Sequence, residues 1–208
     1  RPEELVERAA QLGYVALAIT DECSVAGVVR AHVAAREHGL KLIVGAEFRL
    51  EDGLRCVLLV RDRAGYGRLC RLITRGRRAA AKGEYRLCRR DLEEIIASRN
   101  KELRLTPNPY PLTPLLCLWL PATQPDAAAA RWLATLFPGQ LWIAVELLTT
   151  GRDRRRLRQL QDLGRELELP LVAAGDVPMH ARGRRALQDV LTATRSGTTV
   201  ARAGLALC

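Results

Sequence analysis

Several kinds of residue are scarce in this 208-residue chain, and each scarcity narrows what the protein can be. The six cysteines, Cys23, Cys56, Cys70, Cys88, Cys117 and Cys208, stand singly with no C-x-x-C pair. That spacing points to neither a zinc knuckle nor a disulfide framework, and suits small buried apolar side chains. No apolar run approaches the roughly 20 residues that cross a bilayer, and RPEELVERAAQL at the start lacks a signal-peptide layout. A cytoplasmic protein without a membrane partner is expected. Aromatic residues make up only 4%, yet 48% apolar and 27% charged residues place the chain in the soluble globular class. Because it opens on Arg1 and stops at Cys208, just after GLAL, it is expected to be a piece of something longer.

Lysine is nearly absent. Only Lys41, Lys82 and Lys101 appear among 33 basic residues, so the formal net charge of +10 is carried by arginine. A guanidinium fork donates paired hydrogen bonds to phosphate or carboxylate, which suits a polyanionic partner. A GC-rich coding bias with a solvated basic surface accounts for the same composition.

Strands and helices alternate along the chain. PEELVERAAQL (residues 2–12) has Pro2 in the first turn and places Leu5, Ala9 and Leu12 on one face. YVALAIT is a short β run. VAGVVRAHVAAREHGL has helical spacing and ends at Gly39. KLIVGAEFRL and LRCVLLV flank an Asp52-Gly53 turn and predict a hairpin. Residues 63–81 predict a basic helix broken or weakened near Gly76, and RRDLEEIIAS predicts another. Four prolines at about residues 100–114 mark a loop or insertion. Strand and helix then alternate through LLCLWLP, DAAAARWLATLF, LWIAVEL, RDRRRLRQLQDLGRELEL, PLVAAGD and RGRRALQDVLTATR. Strands separated by helices pair in parallel through right-handed crossovers, so the fold class is α/β, with a barrel preferred over an open sheet.

Apolar strands repeatedly run into acids: ALAITDE reaches Asp21 and Glu22, LIVGAE reaches Glu47, WIAVE reaches Glu146 and LVAAGD reaches Asp176. The C-terminal edge of parallel strands is where loops converge and sites are built. Clustered carboxylates repel one another unless cations or basic groups neutralise them, and oxygen ligands suit magnesium or manganese. A nearby imidazole widens the choice toward zinc. The competing reading is that such acids cap the next helix, a role open to Asp21 in particular. Of three histidines, His32 and His38 fall within or at the end of a helix, where His38 favours the dipole. Only His180 lies near a strand exit.

The runs GYVALAITDECSVAGVVRAH, GLKLIVGAEFRLEDG, GYGRLCRLITRGRRAAAKGEYRL and LPLVAAGDVPMHARGRRALQDVLTATR resemble the PHP (polymerase and histidinol phosphatase) domain. The likeness is to the domain that opens bacterial DNA polymerase III alpha subunits, and within them to the error-prone, translesion branch. It implies a distorted (β/α) barrel of about seven strands whose mouth, in active members, binds up to three divalent metals. Carried over by motif, Glu47 matches the glutamate of G-x-E and Asp176 the aspartate of D-x-H. Two histidines of the motifs are replaced, by Glu22 and by Pro178, and the first-strand H-x-H would lie upstream of Arg1. His180 matches a histidine often found beside the D-x-H position in that branch.

The resemblance therefore implies an α/β barrel over residues 1–181, with a basic helix and the connection to the polymerase body over 182–208. Its metal site, drawn from Asp21, Glu22, Glu47, Asp176 and His180, is degenerate, and any bound magnesium, manganese or zinc is weakly held. Arg71, Arg75, Arg77, Arg78, Arg182, Arg184 and Arg185 are the candidates to contact nucleic acid or the polymerase body. The implied partners are the rest of the polymerase chain, DNA through that chain, and accessory translesion proteins. Two functions follow. One is a structural and interaction module of an error-prone DNA polymerase whose catalytic acids lie downstream. The other is a metal-dependent phosphoesterase or 3′ to 5′ exonuclease working through these carboxylates.

Overall fold

The computed structural model describes residues 1–97, 113–147, 151–175, 177 and 179–204. Most of the proline-rich stretch, together with Asp176, Pro178 and Cys208, lies outside the described residues. Along the chain run α1 (Pro2–Gln11), β1 (Ala16–Ile19), α2 (Val28–Glu37), β2 (Lys41–Arg49), β3 (Arg55–Val60), α3 (Arg63–Arg78) and α4 (Arg89–Ala97). Then come β4 (Leu115–Leu120), α5 (Ala127–Leu136), β5 (Leu141–Glu146), α6 (Asp153–Leu167), β6 (Leu171–Ala174), α7 (Arg185–Arg195) and α8 (Val200–Ala203).

Local chemistry explains several boundaries. Asp62 opens α3 by accepting the Gly65 N–H at 2.8 Å, and Asp126 opens α5 by accepting that of Ala128 at 2.9 Å. The α2 helix closes at His38, with Gly39 behind it at a positive φ of 64°. In the β2–β3 turn Asp52 accepts the Leu54 N–H at 3.1 Å while Gly53 takes φ 85°. Two expectations change. The α3 helix runs unbroken through Gly76, because that glycine is where the helix meets Leu87: an added Cβ would lie 3.0 Å from Leu87 Cγ. In α1 the buried face is Val6 and Ala9, while Leu12 is 54% exposed.

The six strands form one sheet in sequential order. β1 pairs with β2, β4 with β5 and β5 with β6 in parallel, while β3 is antiparallel to both of its neighbours. The parallel pairing expected of strands separated by helices fails between β3 and β4, where two helices, α3 and α4, intervene. The C-terminal ends of five strands and the N-terminal end of β3 therefore share one edge. On one face Phe48, Cys56, Leu58, Cys117, Trp119, Ile143 and Val145 build the main core beneath the helices. On the other face a smaller cluster centres on Val57, Leu120 and Ala144. A third cluster packs α1 and α2 against β1 through Val6, Ala9, Ile19, Ala31 and Leu40.

The sheet curls, as a side-chain contact between its two ends demonstrates. Glu4 of α1, beside β1, accepts from Arg184 at 2.8 Å and lies 3.6 Å from His180 Nδ1, both of which follow β6. No helix among the described residues is long and apolar enough to cross a membrane.

Gly65 and Gly67 test this packing from positions two apart in α3. A Cβ at Gly65 would overlap the Pro114 carbonyl oxygen, whereas one at Gly67 meets nothing within 4 Å. Gly65→Ala is expected to cost about 1–3 kcal/mol, and Gly67→Ala to gain about 0.5–1 kcal/mol, both read by urea unfolding.

Candidate functional site

Among the described residues, the shared strand edge carries Asp21, Glu22, Glu47 and Glu146, acids that the sequence places at strand ends. Past β1 the chain continues alongside β2: Glu22 forms a parallel bridge with Glu47, the Glu47 N–H donates to the Asp21 carbonyl at 3.3 Å, and the Cys23 N–H to that of Glu47 at 2.8 Å. Two carboxylate-bearing residues thus sit on neighbouring backbone segments, about 4.8 Å apart in the hydrogen-bonding direction. Their carboxylates have different partners.

Glu47 lies between Ala46 and Phe48, both buried in the helix-covered core, so alternation turns its carboxylate to the opposite face. There Oε1 accepts two hydrogen bonds from Arg55, from Nε at 2.9 Å and from Nη2 at 2.7 Å. Both side chains are largely shielded, at 24% and 31% exposure. The pair spans the hairpin diagonally, since Arg49 stands opposite Arg55 and Glu47 opposite Val57.

Glu22 is held differently. Its Oε1 accepts the Tyr85 hydroxyl at 2.7 Å, and the same hydroxyl oxygen accepts the Arg49 N–H at 2.8 Å. Burial, reinforced by the hydrogen bond to Glu22, drives the Tyr85 phenol pKa well above its ordinary value, so it donates as a neutral hydroxyl. Arg77 sits over the Tyr85 ring, 5.5 Å from its centre. Its guanidinium donates to the carbonyls of Glu22, Cys23, Gly83 and Glu84 at 3.1 to 3.3 Å. Cys23, with a positive φ of 46° and no exposed surface, makes the bend possible, and burial pushes its thiol pKa up to about 11.

The remaining candidates have other neighbours. Asp21 is exposed and caps no helix, because Gly27 is the N-cap of α2; its Oδ2 lies beside that glycine, 3.2 Å from where a Cβ would stand. His180 is turned to Glu4, and Asp176 lies outside the described residues. Among the described residues no group of three or more His, Cys, Asp or Glu side chains is arranged to hold a metal ion.

The basic candidates divide as well. Arg75 pairs with Glu94 at 2.7 Å and Asp91 at 3.4 Å, Arg77 clamps four carbonyls, Arg184 holds Glu4, and Arg185 lies 3.9 Å from Asp189. Arg71, Arg78 and Arg182 are exposed. Arg68, which the sequence groups with the basic residues of α3 as a phosphate-neutralising cluster, is instead 6% exposed and donates to the Ile96 carbonyl at 3.0 Å. Sequence reasoning overlooked Arg55 and Tyr85. The hairpin turn carried a signal for Arg55, because it dictates the register that sets Arg55 diagonal to Glu47; Tyr85 lies 63 residues from Glu22 and had none.

The PHP domain family model matches residues 1–142. An error-prone DNA polymerase from Methylococcus capsulatus is 55% identical over 206 residues, which is 99% of this chain and 18% of that protein. Another, from Pseudomonas aeruginosa, is 55% identical over 201 residues, 97% of this chain and again 18% of the relative. The chain thus spans about a fifth of the length of these curated relatives. A solved structure from Bifidobacterium adolescentis, described as a candidate metal-dependent phosphoesterase, superposes with a TM-score of 0.52 at 16% identity, over 88% of this chain and 83% of that one. At that identity the likeness concerns the fold alone.

Tyr85→Phe keeps the ring beneath Arg77 and deletes both hydrogen bonds of the hydroxyl. A loss of about 1 kcal/mol is expected in chemical denaturation, with the far-ultraviolet dichroism unchanged.

Proposed function

This chain belongs to the PHP domain family, and on that premise we propose that it is the PHP region of an error-prone, damage-inducible translesion DNA polymerase. In that setting it is a structural and interaction module with a degraded metal site, and not an independent hydrolase. One observation carries the reading: the acids at the strand edge already have protein partners, Glu47 in Arg55 and Glu22 in Tyr85. A divalent-metal centre of this family needs several carboxylates and imidazoles facing one cation. The described residues do not fit one, since Glu22 stands where the motif has a histidine and His180 is committed to Glu4.

The parent activity is DNA-templated nucleotidyl transfer in DNA repair and damage tolerance, in the cytoplasm. Its catalytic acids belong to residues beyond this chain, so none of the carboxylates described above acts in it. The proposed partners are the rest of the polymerase chain, the DNA it holds, and accessory translesion proteins. Residues 182–208 lead from the barrel to the polymerase body. Supporting that role, Leu187, Val190 and Leu191 of α7 lie at helical spacing and are 52%, 50% and 52% exposed. Exposed Arg182, Arg185 and Arg195 flank them, and this apolar stripe with a basic margin suits an acidic-rimmed protein surface.

Isothermal calorimetry with manganese and with zinc is expected to give no saturable binding to this chain, and manganese no release of nucleotides from DNA. Micromolar binding with cleavage that disappears in Asp176→Ala would instead establish the phosphoesterase or exonuclease. In the full-length polymerase, Leu187→Asp with Leu191→Asp is expected to speed limited proteolysis between the PHP region and the polymerase body several-fold. Unchanged protection would remove α7 from that interface.

A further inference from the structure

The antiparallel placement of β3 has a chemical consequence at the strand edge. Every other strand of the sheet reaches that edge with its C-terminus, and β3 alone begins there. Its first residue is Arg55. A guanidinium is thereby delivered to the edge where the backbone bridge draws Glu22 and Glu47 together, on the face to which Glu47 turns. The Nε and Nη2 contacts converge on a single oxygen, Glu47 Oε1, at 2.9 and 2.7 Å. The pair sits at the rim of a small apolar cluster of Val57, Leu120 and Ala144, where solvent screens charge less than at a fully exposed site.

We infer that Arg55 is a resident counter-cation. It supplies to Glu47 a positive charge where metal-binding relatives place a divalent metal, and so excludes such a metal from this chain. The inference rests on the reading of a degraded metal site and adds the residue that replaced the ion. A guanidinium cannot lose its proton at physiological pH and brings fixed directional donors, so it satisfies the carboxylate permanently, without an exchangeable ligand. It also lacks the open coordination position at which a metal activates water. Exchanging a metal for Arg55 therefore keeps a cation beside Glu47, with less charge than a divalent ion, while removing hydrolytic chemistry.

Thermal unfolding of this chain and three variants, with and without millimolar manganese, tests the idea. For wild type no manganese shift is expected. Arg55→Met, close in length but uncharged, is expected to lower the Tm by roughly 5 °C, and manganese to restore at least half of that loss. Arg55→Lys keeps a charge and is expected to ignore manganese. Glu47→Gln combined with Arg55→Met removes the carboxylate and is expected to do the same. If Arg55→Met does not fold without metal, refolding yield with and without manganese becomes the readout. A destabilised Arg55→Met with no manganese response would reduce the pair to an ordinary cross-strand ion pair, leaving the proposed function intact. Stabilisation of wild type by manganese would sink both.

Discussion

Like charge at the end of adjacent strands is the constraint around which this structure is arranged. Parallel pairing of β1 with β2, prolonged by the Glu22–Glu47 bridge, sets carboxylate-bearing residues on neighbouring backbone segments. Two such groups repel one another by an amount that grows as the site becomes less wet. The fold answers with groups from three distant parts of the chain: Arg55 from the hairpin strand, Tyr85 from the segment after α3, and Arg77 from α3 itself. One acid meets an arginine and the other a neutral phenol, so each has a partner within the protein.

The same logic governs the arginines. A net charge of +10 invites the picture of a uniformly sticky basic surface, yet much of that charge is spent within the molecule. Arg68 is buried against the Ile96 carbonyl, Arg77 ties together loops on either side of α3, and Arg156 donates to the carbonyls of Pro121 and Thr123. Burial lowers the pKa of Arg68 and of Arg156, the latter opposed by the charge of Glu146, but neither approaches neutrality. Arginine suits these posts because its planar fork reaches two carbonyls at once, which an ammonium group does less well. Sequence counting alone does not distinguish an arginine facing solvent from one closing a backbone turn.

Much of the architecture was legible in the residues. The alternation of β runs and amphipathic helices marked all six strands of the sheet, and the Asp52-Gly53 turn marked the one antiparallel hairpin. Gathering of the acids on one edge was legible too, because parallel strands share a C-terminal side. What escaped was lateral contact. Gly76 looked like a break in α3 because glycine weakens an isolated helix, whereas in the fold it is the place where Leu87 approaches most closely. Asp21 looked like a helix cap because caps are local, but the loop to α2 is long enough to pass that role to Gly27. His180 looked like a neighbour of the mouth because it follows a strand, and it faces Glu4 because the curl of the sheet brings α1 round to it.

The sequence by itself determined the class of fold and the edge on which acids collect, since hydrophobic periodicity and strand polarity are properties of the chain read in order; its motifs carried the resemblance to the family. Tertiary structure alone decided what those acids do. Whether Glu47 meets a metal or a guanidinium depends on which residue β3 brings to the same edge and on which face. Whether Glu22 is free depends on Tyr85, 63 residues away. Charge compensation acts over a few ångströms in space and takes no account of distance along the chain, so only the folded molecule shows which pairs are made.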